Sequence, residues 1–510
     1  MVGLDQSLFD LPRTHRAREK TLLLTADRDY AFSPDGDSDP LATLQTRIDD
    51  RTARVGIVGL GYVGLPLAVE FGAQFPVVGF DSDARRVREI MRGKSPILDV
   101  ADHRLEDLLG QGQFSATGDF SQMRDCDVLV ICVPTPLGKN KEPDLSYVKS
   151  AANAIVANLR PGQLVVLEST TYPGTTDEML LPLLSSRGMK IDRDFLLAFS
   201  PERVDPGNKQ FNITEIPKVV GGCSELSTEV AASFYGSVIH SVHPVSTARV
   251  AEMSKLLENT FRLVNIGLAN EMALLARHLH INSHEAIEAA ATKPFGFMPF
   301  YPGPGVGGHC IPLDPQYLSW KAKREGFDAR FITLAEDVNA AMPKRIVEMV
   351  ANALNDDKKA LNGSRVLILG AAYKSDTDDT RHSPAIAILD LLRDRHAEVV
   401  YHDPLVERLD IDLSEWAEWR AVKAPPAVDR RNPHVRTLSG EIPARRRYDS
   451  LTSVELTASE LERADCVVIV TAHEDVDYRL VLEHAKIVVD TRAAISPAQR
   501  AGAKARVIAL

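Results

Sequence analysis

One cysteine, Cys310, sits in a glycine- and proline-rich stretch from Tyr301 to Pro315 (YPGPGVGGHCIPLDP), with an aspartate, Asp314, four residues further on. Glycine lets a backbone approach a ligand closely and adopt positive φ, while proline holds its neighbours extended. The stretch reads either as a rigid presentation of one thiol or as a structural loop around a buried cysteine, a common fate of free Cys. A reactive thiol also needs a group nearby that favours thiolate. Lys255 and Asn259 are candidates: they stand four residues apart in a helical pattern, and Arg262 completes one face. The competing account of that triplet is the solvated side of an amphipathic helix. Glu202, in SPERVDPG after the apolar run FLLAF, puts a carboxylate at a strand end, or else in a solvated loop. Thiol, ammonium and carboxylates suit a covalent oxidation. Thiolate attack on an aldehyde gives a thiohemiacetal, loss of hydride gives a thioester, and water hydrolyses it. Lys255 would stabilise developing oxyanions and depress the Cys310 pKa, with Asp314 and Glu202 activating water or moving protons.

Such chemistry needs a hydride acceptor, and RVGIVGLGYVGLPLAVEFG has the pattern that holds one. A short apolar run leads into Gly59-Leu60-Gly61-Tyr62-Val63-Gly64 and then a helix, and a second run, FPVVGFDSD, ends at Asp81. Gly59 permits the tight turn, Gly61 a close approach to pyrophosphate, and Gly64 close helix packing; Asp81 is placed for a ribose diol. NAD is therefore expected over NADP, although Arg85 and Arg86 bring cations close by. Further buried runs end at Thr135 (CVPTP) and Thr170 (ESTTYPGTT), where a hydroxyl meets cofactor or simply caps a helix.

A second alternation of strands and helices opens at Arg365 (RVLILGAAYKSDTDDTRHSPAIAILDLL) and continues through AEVVYHDP, ADCVVIVTAHEDVDY and KIVVDTR. Its Gly370-Ala371-Ala372 lacks the full glycine pattern, so it is expected to bind something other than a dinucleotide, with Lys374 and Arg381 near phosphates. Between the two halves, VAEMSKLLENTFRLVNIGLANEMALLARHL reads as one long helix. Met253, Leu257, Phe261, Val264, Leu268, Met272, Leu275 and Leu279 form an apolar stripe along it, a plausible homodimer surface.

The expected fold class is α/β, with two Rossmann-like doubly wound parallel-sheet domains joined by a long central helix. The divisions are an N-terminal extension (1–50), a dinucleotide domain (51–240), a central helical domain (241–355) and a C-terminal α/β domain (360–510). The last carries a Pro- and Arg-rich insertion near 410–450. A chain of 510 residues exceeds one core, and its 44% hydrophobic and 25% charged residues are those of a globular protein. A net charge of −11 argues against nucleic-acid or anionic-membrane binding. The N-terminus lacks a secretory h-region, so a cytoplasmic location is expected. Five scattered cysteines without a CxxC pair suggest neither a disulfide framework nor a zinc ribbon. A metal site at His309, Cys310 and Asp314 is disfavoured, because adjacent His and Cys do not readily face one ion.

From about Arg54 onward the chain resembles the UDP-glucose/GDP-mannose dehydrogenase family of nucleotide-sugar 6-dehydrogenases. The resemblance rests on VGIVGLGYVGLPLA, CVPTP, ESTTYPGTT, SPERVDPG, EMSKLLENTFRLVNIGLANE, PGPGVGGHCIPLDP and AAYKSDTDDTRHSPA, in that order. ATKPFGFMPFYPGPGVGGHCIP is most similar to the branch acting on UDP-N-acetylglucosamine. The N-acetylmannosamine branch carries His and Arg where this chain has Pro294 and Gly296. The resemblance implies Cys310 as nucleophile and Lys255 as general acid and oxyanion stabiliser. Asn259 and Asp314 would support the sulfur and a water, with Glu202 assisting thioester hydrolysis. It implies NAD contacts from Gly59, Gly61, Tyr62, Val63, Gly64, Asp81, Thr135 and Thr170, and from Arg381 across domains. A UDP-sugar would be held by Arg203, Val204, Arg262, Gly307, Tyr373 and Lys374 together with Lys255 and Asn259. Glu168 is left out of the catalytic set, because the glutamate of the UDP-glucose branch precedes its Lys-Ser-Thr segment at the position of Leu167, and Glu168 is the next residue. Rival readings are a hydroxyacid dehydrogenase without a covalent thiol, a UDP-glucose or UDP-N-acetylmannosamine enzyme, and a catalytically silent NAD-binding scaffold.

Overall fold

A computed structural model describes residues 39–97, 100–138, 141–203, 212–412 and 448–510. Most of the N-terminal extension, Val204 and the core of the basic insertion lie outside the described residues. Short runs of Val, Ile, Leu and Phe with few polar interruptions become strands buried on both faces, as crossover connections require. In the first sheet these are β1 (Val55–Val58), β2 (Val77–Phe80), β3 (Phe114–Thr117), β4 (Val128–Ile131), β5 (Gln163–Leu167), β6 (Phe195–Phe199), β7 (Lys218–Gly222) and β8 (Val242–Val245). Among the described residues they lie in the order β3-β2-β1-β4-β5-β6-β7-β8. The first six are parallel, with Val55 opposite both Val77 and Val128. β7 then pairs antiparallel with β6 through Phe199 and Gly221, and β8 runs parallel to β7. The sheet is thus mixed at one edge, where sequence reading expected parallel strands throughout. As a result Lys218, the first residue of β7, lies at the carboxyl ends of the parallel strands, where ligands bind such sheets.

The helix Pro40–Asp49, capped by the Asp39 carboxylate on Leu41 N at 3.0 Å, buries Leu41, Leu44 and Ile48 in this domain's core. The second sheet holds β9 (Arg365–Leu369), β10 (Glu398–His402), β13 (Cys466–Ile469), β14 (Ile487–Asp490) and β15 (Arg506–Ala509). The strands β11 (Arg408–Asp412) and β12 (Tyr448–Thr452) form a separate antiparallel pair. Its order, β10-β9-β13-β14-β15, is all parallel. Each sheet reverses its strand order beside its first strand, between β1 and β4 and between β9 and β13.

The long helix Ala248–His278 has 31 residues, a span of about 46 Å at 1.5 Å per residue. It packs along Arg330–Asp356, and Gly267 permits this: a Cβ there would lie 3.1 Å from Ala335 Cα. Asn270 Nδ2 donates to Asn339 Oδ1 at 2.8 Å, and Asn270 Oδ1 accepts from Gly303 N at 2.8 Å, which ties the glycine-rich loop to both helices. The expected 3.6-residue periodicity is present, and the polar face rather than the apolar stripe is the one covered within the chain. Most of the apolar stripe is exposed, with Leu257 at 57% and Leu268 at 53%, whereas Lys255 (7%) and Asn259 (5%) are buried. Small residues, Ala251, Gly267 and Ala273, let neighbouring elements close over the polar side. No helix among the described residues is long and apolar enough to cross a membrane.

Candidate active site

Cys310 ends the glycine loop, and its carbonyl accepts from Leu313 N at 3.2 Å and Asp314 N at 2.9 Å. That turn delivers the chain into the helix Asp314–Arg324, with Pro315 in its first turn. Asp314 is buried and accepts from Asn259 Nδ2 at 2.6 Å. One turn earlier on the long helix, Lys255 Nζ donates to the Glu202 carbonyl, pinning the loop that follows β6. Five of the sequence-derived residues, Cys310, Asp314, Asn259, Lys255 and Glu202, thereby meet in one place. The solvated-face account of Lys255 and Asn259 is excluded by their burial.

The electrostatics of the cluster are uneven. Burial pushes the Asp314 carboxyl up to about 6, against the pull of Lys255 and the Asn259 hydrogen bond. Of the five cysteines, Cys310 is exposed, Cys223 is half-buried and Cys126, Cys132 and Cys466 are buried. The Cys310 side chain opens to the cleft on one side and is crowded by protein on the others. That crowding raises its thiol above the ordinary value, the Asp314 charge adds to the rise, and Lys255 opposes it. Lys255 lowers the thiol in the expected sense, but its pull is outweighed by desolvation and a neighbouring carboxylate.

The dinucleotide turn follows β1. Gly59 has φ 96°, and a Cβ there would stand 2.7 Å from Cys132 O across the strand-order reversal. A Cβ on Gly64 would lie 1.8 Å from Gly59 O, while one on Gly61 would meet nothing within 4 Å. The turn is closed inside and open outside, a cradle that fits a pyrophosphate. Its helix, Gly64–Gly72, starts without a side-chain cap, leaving backbone N–H groups for an anion. Asp81, buried at the end of β2, accepts from Leu60 N at 2.9 Å, Asp83 N at 2.8 Å and Arg86 Nη1 at 2.9 Å. Arg86 is thus engaged by Asp81 itself. Thr135 is buried at the end of β4 and its carbonyl receives the Tyr317 hydroxyl from the Asp314 helix. Thr170 is half-buried beyond β5.

The second sheet reaches the same cleft. Gly308 N donates to Arg381 O at 3.0 Å, and a Cβ on Gly307 would lie 2.8 Å from both His382 O and Tyr373 Cβ. Lys374 is half-buried on that turn. Arg381 grips Asp379 through Nε and Nη2, at 2.9 and 2.6 Å, and its guanidinium lies 4.9 Å over the Tyr62 ring. Two more residues expected to hold substrate are Arg203 and Arg262. Arg203 is paired with Glu258, Nη2 to Oε1 at 2.5 Å, and donates to Pro217 O at 2.7 Å. Arg262 is exposed.

Sequence reasoning missed Arg492. It follows β14 beside the glycine loop: a Cβ on Gly303 would meet its Nη1 at 2.6 Å, and its Nε donates to Val470 O at 2.9 Å. Burial alone draws it down to about 10, with no carboxylate offsetting that among the described residues. The signal was an arginine just past a strand's carboxyl end in KIVVDTR. Glu168, set aside earlier, is fully buried between Lys218 and Tyr235.

Comparisons with known proteins agree along the chain. Residues 53–239, 249–341 and 367–497 match the NAD binding, central and UDP binding domains described for the UDP-glucose/GDP-mannose dehydrogenase family. The chain is 37% identical over 359 residues to UDP-N-acetyl-D-glucosamine 6-dehydrogenase of Pseudomonas aeruginosa, covering 70% of this chain and 84% of that protein. It is 38% identical over 367 residues to UDP-N-acetyl-D-mannosamine dehydrogenase of Pyrococcus horikoshii, covering 72% and 87%. The solved structure of a UDP-D-ManNAc dehydrogenase from Pyrococcus horikoshii superposes with a TM-score of 0.75 at 32% identity, over 89% of this chain and 99% of that one. With a nucleotide turn, a presented cysteine and a second sheet converging on one cleft, the chain belongs to the UDP-glucose/GDP-mannose dehydrogenase family and is an NAD-dependent UDP-sugar 6-dehydrogenase.

Proposed function

We propose that the chain oxidises the C6 hydroxymethyl of UDP-N-acetylglucosamine to the uronic acid through a covalent intermediate on Cys310. The observation that carries the mechanism is the burial of Lys255, Asn259 and Asp314 around an exposed cysteine. NAD, held by the Gly59–Gly64 turn with Asp81, Thr135 and Thr170, supplies the oxidising equivalents, one molecule for each two-electron step. Lys255 holds the oxyanion that develops at C6. Cys310 Sγ adds to the C6 aldehyde, and the resulting thiohemiacetal is oxidised to a thioester. Glu202 takes a proton from the water that attacks the thioester carbonyl; the C–S bond breaks and Cys310 leaves as thiolate. Asp314, through Asn259, orients that water. Lys374, Tyr373 and Gly307 hold the UDP-sugar, and Arg492, a cation without a carboxylate partner among the described residues, faces its charge.

Pro294 and Gly296 support N-acetylglucosamine, since they replace the His and Arg associated with the N-acetylmannosamine branch. The adjoining Phe295 and Met298 are exposed where sugar choice would be read. The exposed stripe of the long helix, Met253, Leu257, Phe261, Leu268, Met272, Leu275 and Leu279, supports a homodimer through that face. The deciding experiment compares NADH formation from UDP-N-acetylglucosamine, UDP-glucose, UDP-N-acetylmannosamine and UDP-N-acetylgalactosamine. The first is expected to be preferred, and a strong preference for UDP-glucose would sink the assignment. Cys310→Ser is expected to abolish acid formation, and full acid production by that variant would rule out the thiol.

A further inference from the structure

One buried carboxylate takes no part in the mechanism above. Glu252 lies on the long helix one turn before Lys255 and is 0% exposed. Its Oε2 accepts from Gly174 N at 2.6 Å. Its Oε1 accepts from Thr176 N at 2.9 Å and from the Thr176 hydroxyl at 2.6 Å. These donors belong to the segment after β5, in which Thr170 precedes the helical turn Thr175–Leu180. Gly174 stands at the start of that turn with φ 103° and brings no side-chain cap. A cap is ordinarily local, a Ser, Thr, Asp or Asn at that very position, and it costs little desolvation. Here the acceptor is a charged group from a helix 76 positions further along the chain, so satisfying the amides also fastens one element to another.

The rest of the segment is anchored on both sides of Thr170. Ser169 Oγ donates to Val133 O at 2.7 Å, just past β4, and Thr175 Oγ1 donates to Tyr172 O at 2.7 Å. The Tyr172 ring lies 4.9 Å from that of Trp320 on the Asp314 helix. Resting on the NAD contact proposed above for Thr170, we infer that Glu252 is a positioning residue for the cofactor: its carboxylate ties the Thr170 segment to the helix that carries Lys255. Both Glu252 oxygens are acceptors, which suits the ionised form. Burial opposes that form and pushes the carboxyl up to about 7, against the pull of the Thr176 hydroxyl and the two amides. Charged and titratable groups face it from each neighbouring element. Asp177, on the segment itself, adds to the rise. Arg249, on the long helix, is engaged by Asp177 at 2.6 Å and Glu178 at 3.0 Å, and Lys321 of the Asp314 helix also meets Glu178. Cys223, half-buried beyond β7, completes the surround. The carboxylate tie is therefore in place above about pH 7 and is lost as pH falls through that value.

Titration calorimetry of NAD binding in the absence of UDP-sugar tests this on the parent, Glu252→Gln, Thr176→Val, Thr176→Ser and Thr170→Ala. It is run from about pH 6 to about pH 8 in buffers of different ionisation enthalpy, so that proton release is counted as well as affinity. The parent is expected to bind NAD about fivefold more weakly at the acid end and to release a fraction of a proton on binding there. Glu252→Gln is expected to bind about tenfold more weakly than the parent at the alkaline end, with no dependence on pH and no proton release. Thr176→Val removes a donor that favours the charged form, so the fall in affinity moves to higher pH; Thr176→Ser keeps the donor and leaves the fall in place. KM for UDP-sugar stays within about twofold throughout. A carboxylate that only stabilises the fold would instead weaken both ligands alike. That result overturns the inference, as does proton release that survives in Glu252→Gln. Should Glu252→Gln fail to fold, the direction of the Thr176→Val shift decides. Thr170→Ala binding NAD as tightly as the parent overturns the contact proposed for Thr170 and the inference with it, whereas the other adverse results leave that contact standing, so the two failures are told apart.

Discussion

The turn after β1 and the turn after β9 are built to one plan and end in different chemistry. Each begins with a glycine at positive φ, 96° at Gly59 and 86° at Gly370. Each glycine is pressed against the strand across the reversal, with a Cβ 2.7 Å from Cys132 O in one case and 2.5 Å from Thr471 O in the other. Each second strand then ends in a buried aspartate that clamps the turn. Asp81 accepts from Leu60 N at 2.9 Å, and Asp403 accepts from Ala371 N at 2.7 Å and Ala372 N at 3.1 Å. The same oxygen of each meets a cation or a ring nitrogen, Arg86 Nη1 at 2.9 Å or His473 Nε2 at 3.0 Å. They part where the helix starts. The first turn enters its helix at Gly64 and shows an open backbone at Gly61; the second runs on to Pro384 and shows side chains, Lys374 and Arg381 among them. One frame thus presents the amides of a helix end, and the other presents cationic side chains. Where the helix begins, rather than the strand order, decides which.

The largest test of this contrast is Gly64→Ala. Its methyl would stand 1.8 Å from Gly59 O, so NAD binding is expected to fall by about a hundredfold or more, while calorimetric UDP binding persists. Equal loss of both ligands would mean that the two turns are not independent. Next, Lys374→Ala should raise the KM for UDP-sugar about tenfold, with salt weakening the parent more than the variant and KM for NAD unchanged. A comparable rise for NAD would erase the distinction between backbone and side-chain recognition. Gly61→Ala meets open space in the fold, so its melting temperature should match the parent, while KM for NAD rises several-fold through the lost close approach.

The smallest effect is a dependence of stability on pH. Burial raises the Asp403 carboxyl, but the His473 hydrogen bond, the N–H groups of Ala371 and Leu405 and the His473 charge outweigh it and hold it at about 2. The folded value lies below the unfolded one, so the stabilisation is complete above about pH 4 and is lost as pH falls toward about 2. Asp403→Asn should therefore lower the melting temperature near neutrality and show less acid sensitivity than the parent. An unchanged acid slope would remove the clamp from the account. Asp314 has the opposite sign. Its folded value of about 6 lies above the unfolded one, so ionisation works against folding as pH rises from about 4 through about 6. Asp314→Asn should raise the melting temperature above that window while lowering kcat. A variant that melts no higher there would contradict the burial seen for this carboxyl.

Much of the site was legible because its residues sit beside strong local punctuation. Gly59 to Gly64 lie between a strand and a helix, Thr135 and Thr170 follow apolar runs, and Cys310 sits among glycines. The long helix was legible in period but not in the use of its faces. Periodicity reports that one side differs from the other, and only the neighbouring elements decide which side is covered. Lys255 and Asn259 are buried because the Asp314 helix and the Glu202 loop close over them; Arg262, on the same face, is left outside that cover. The Glu168–Lys218 pair joins residues fifty positions apart through an antiparallel edge strand, for which the sequence carries no local mark. Arg492 stands at a strand end in the sequence, but only packing reveals its desolvation, with no carboxylate partner among the described residues.

The Arg381 guanidinium over the Tyr62 ring joins the two turns directly. Arg381 is carried by the second turn and Tyr62 by the first, so the contact spans both. Any shift that one bound nucleotide imposes on this contact alters the free energy of holding the other, and thermodynamic linkage makes the factor equal in both directions. A contact that spans both turns predicts that bound NAD changes the affinity for the UDP-sugar, and bound UDP-sugar the affinity for NAD, by one and the same factor.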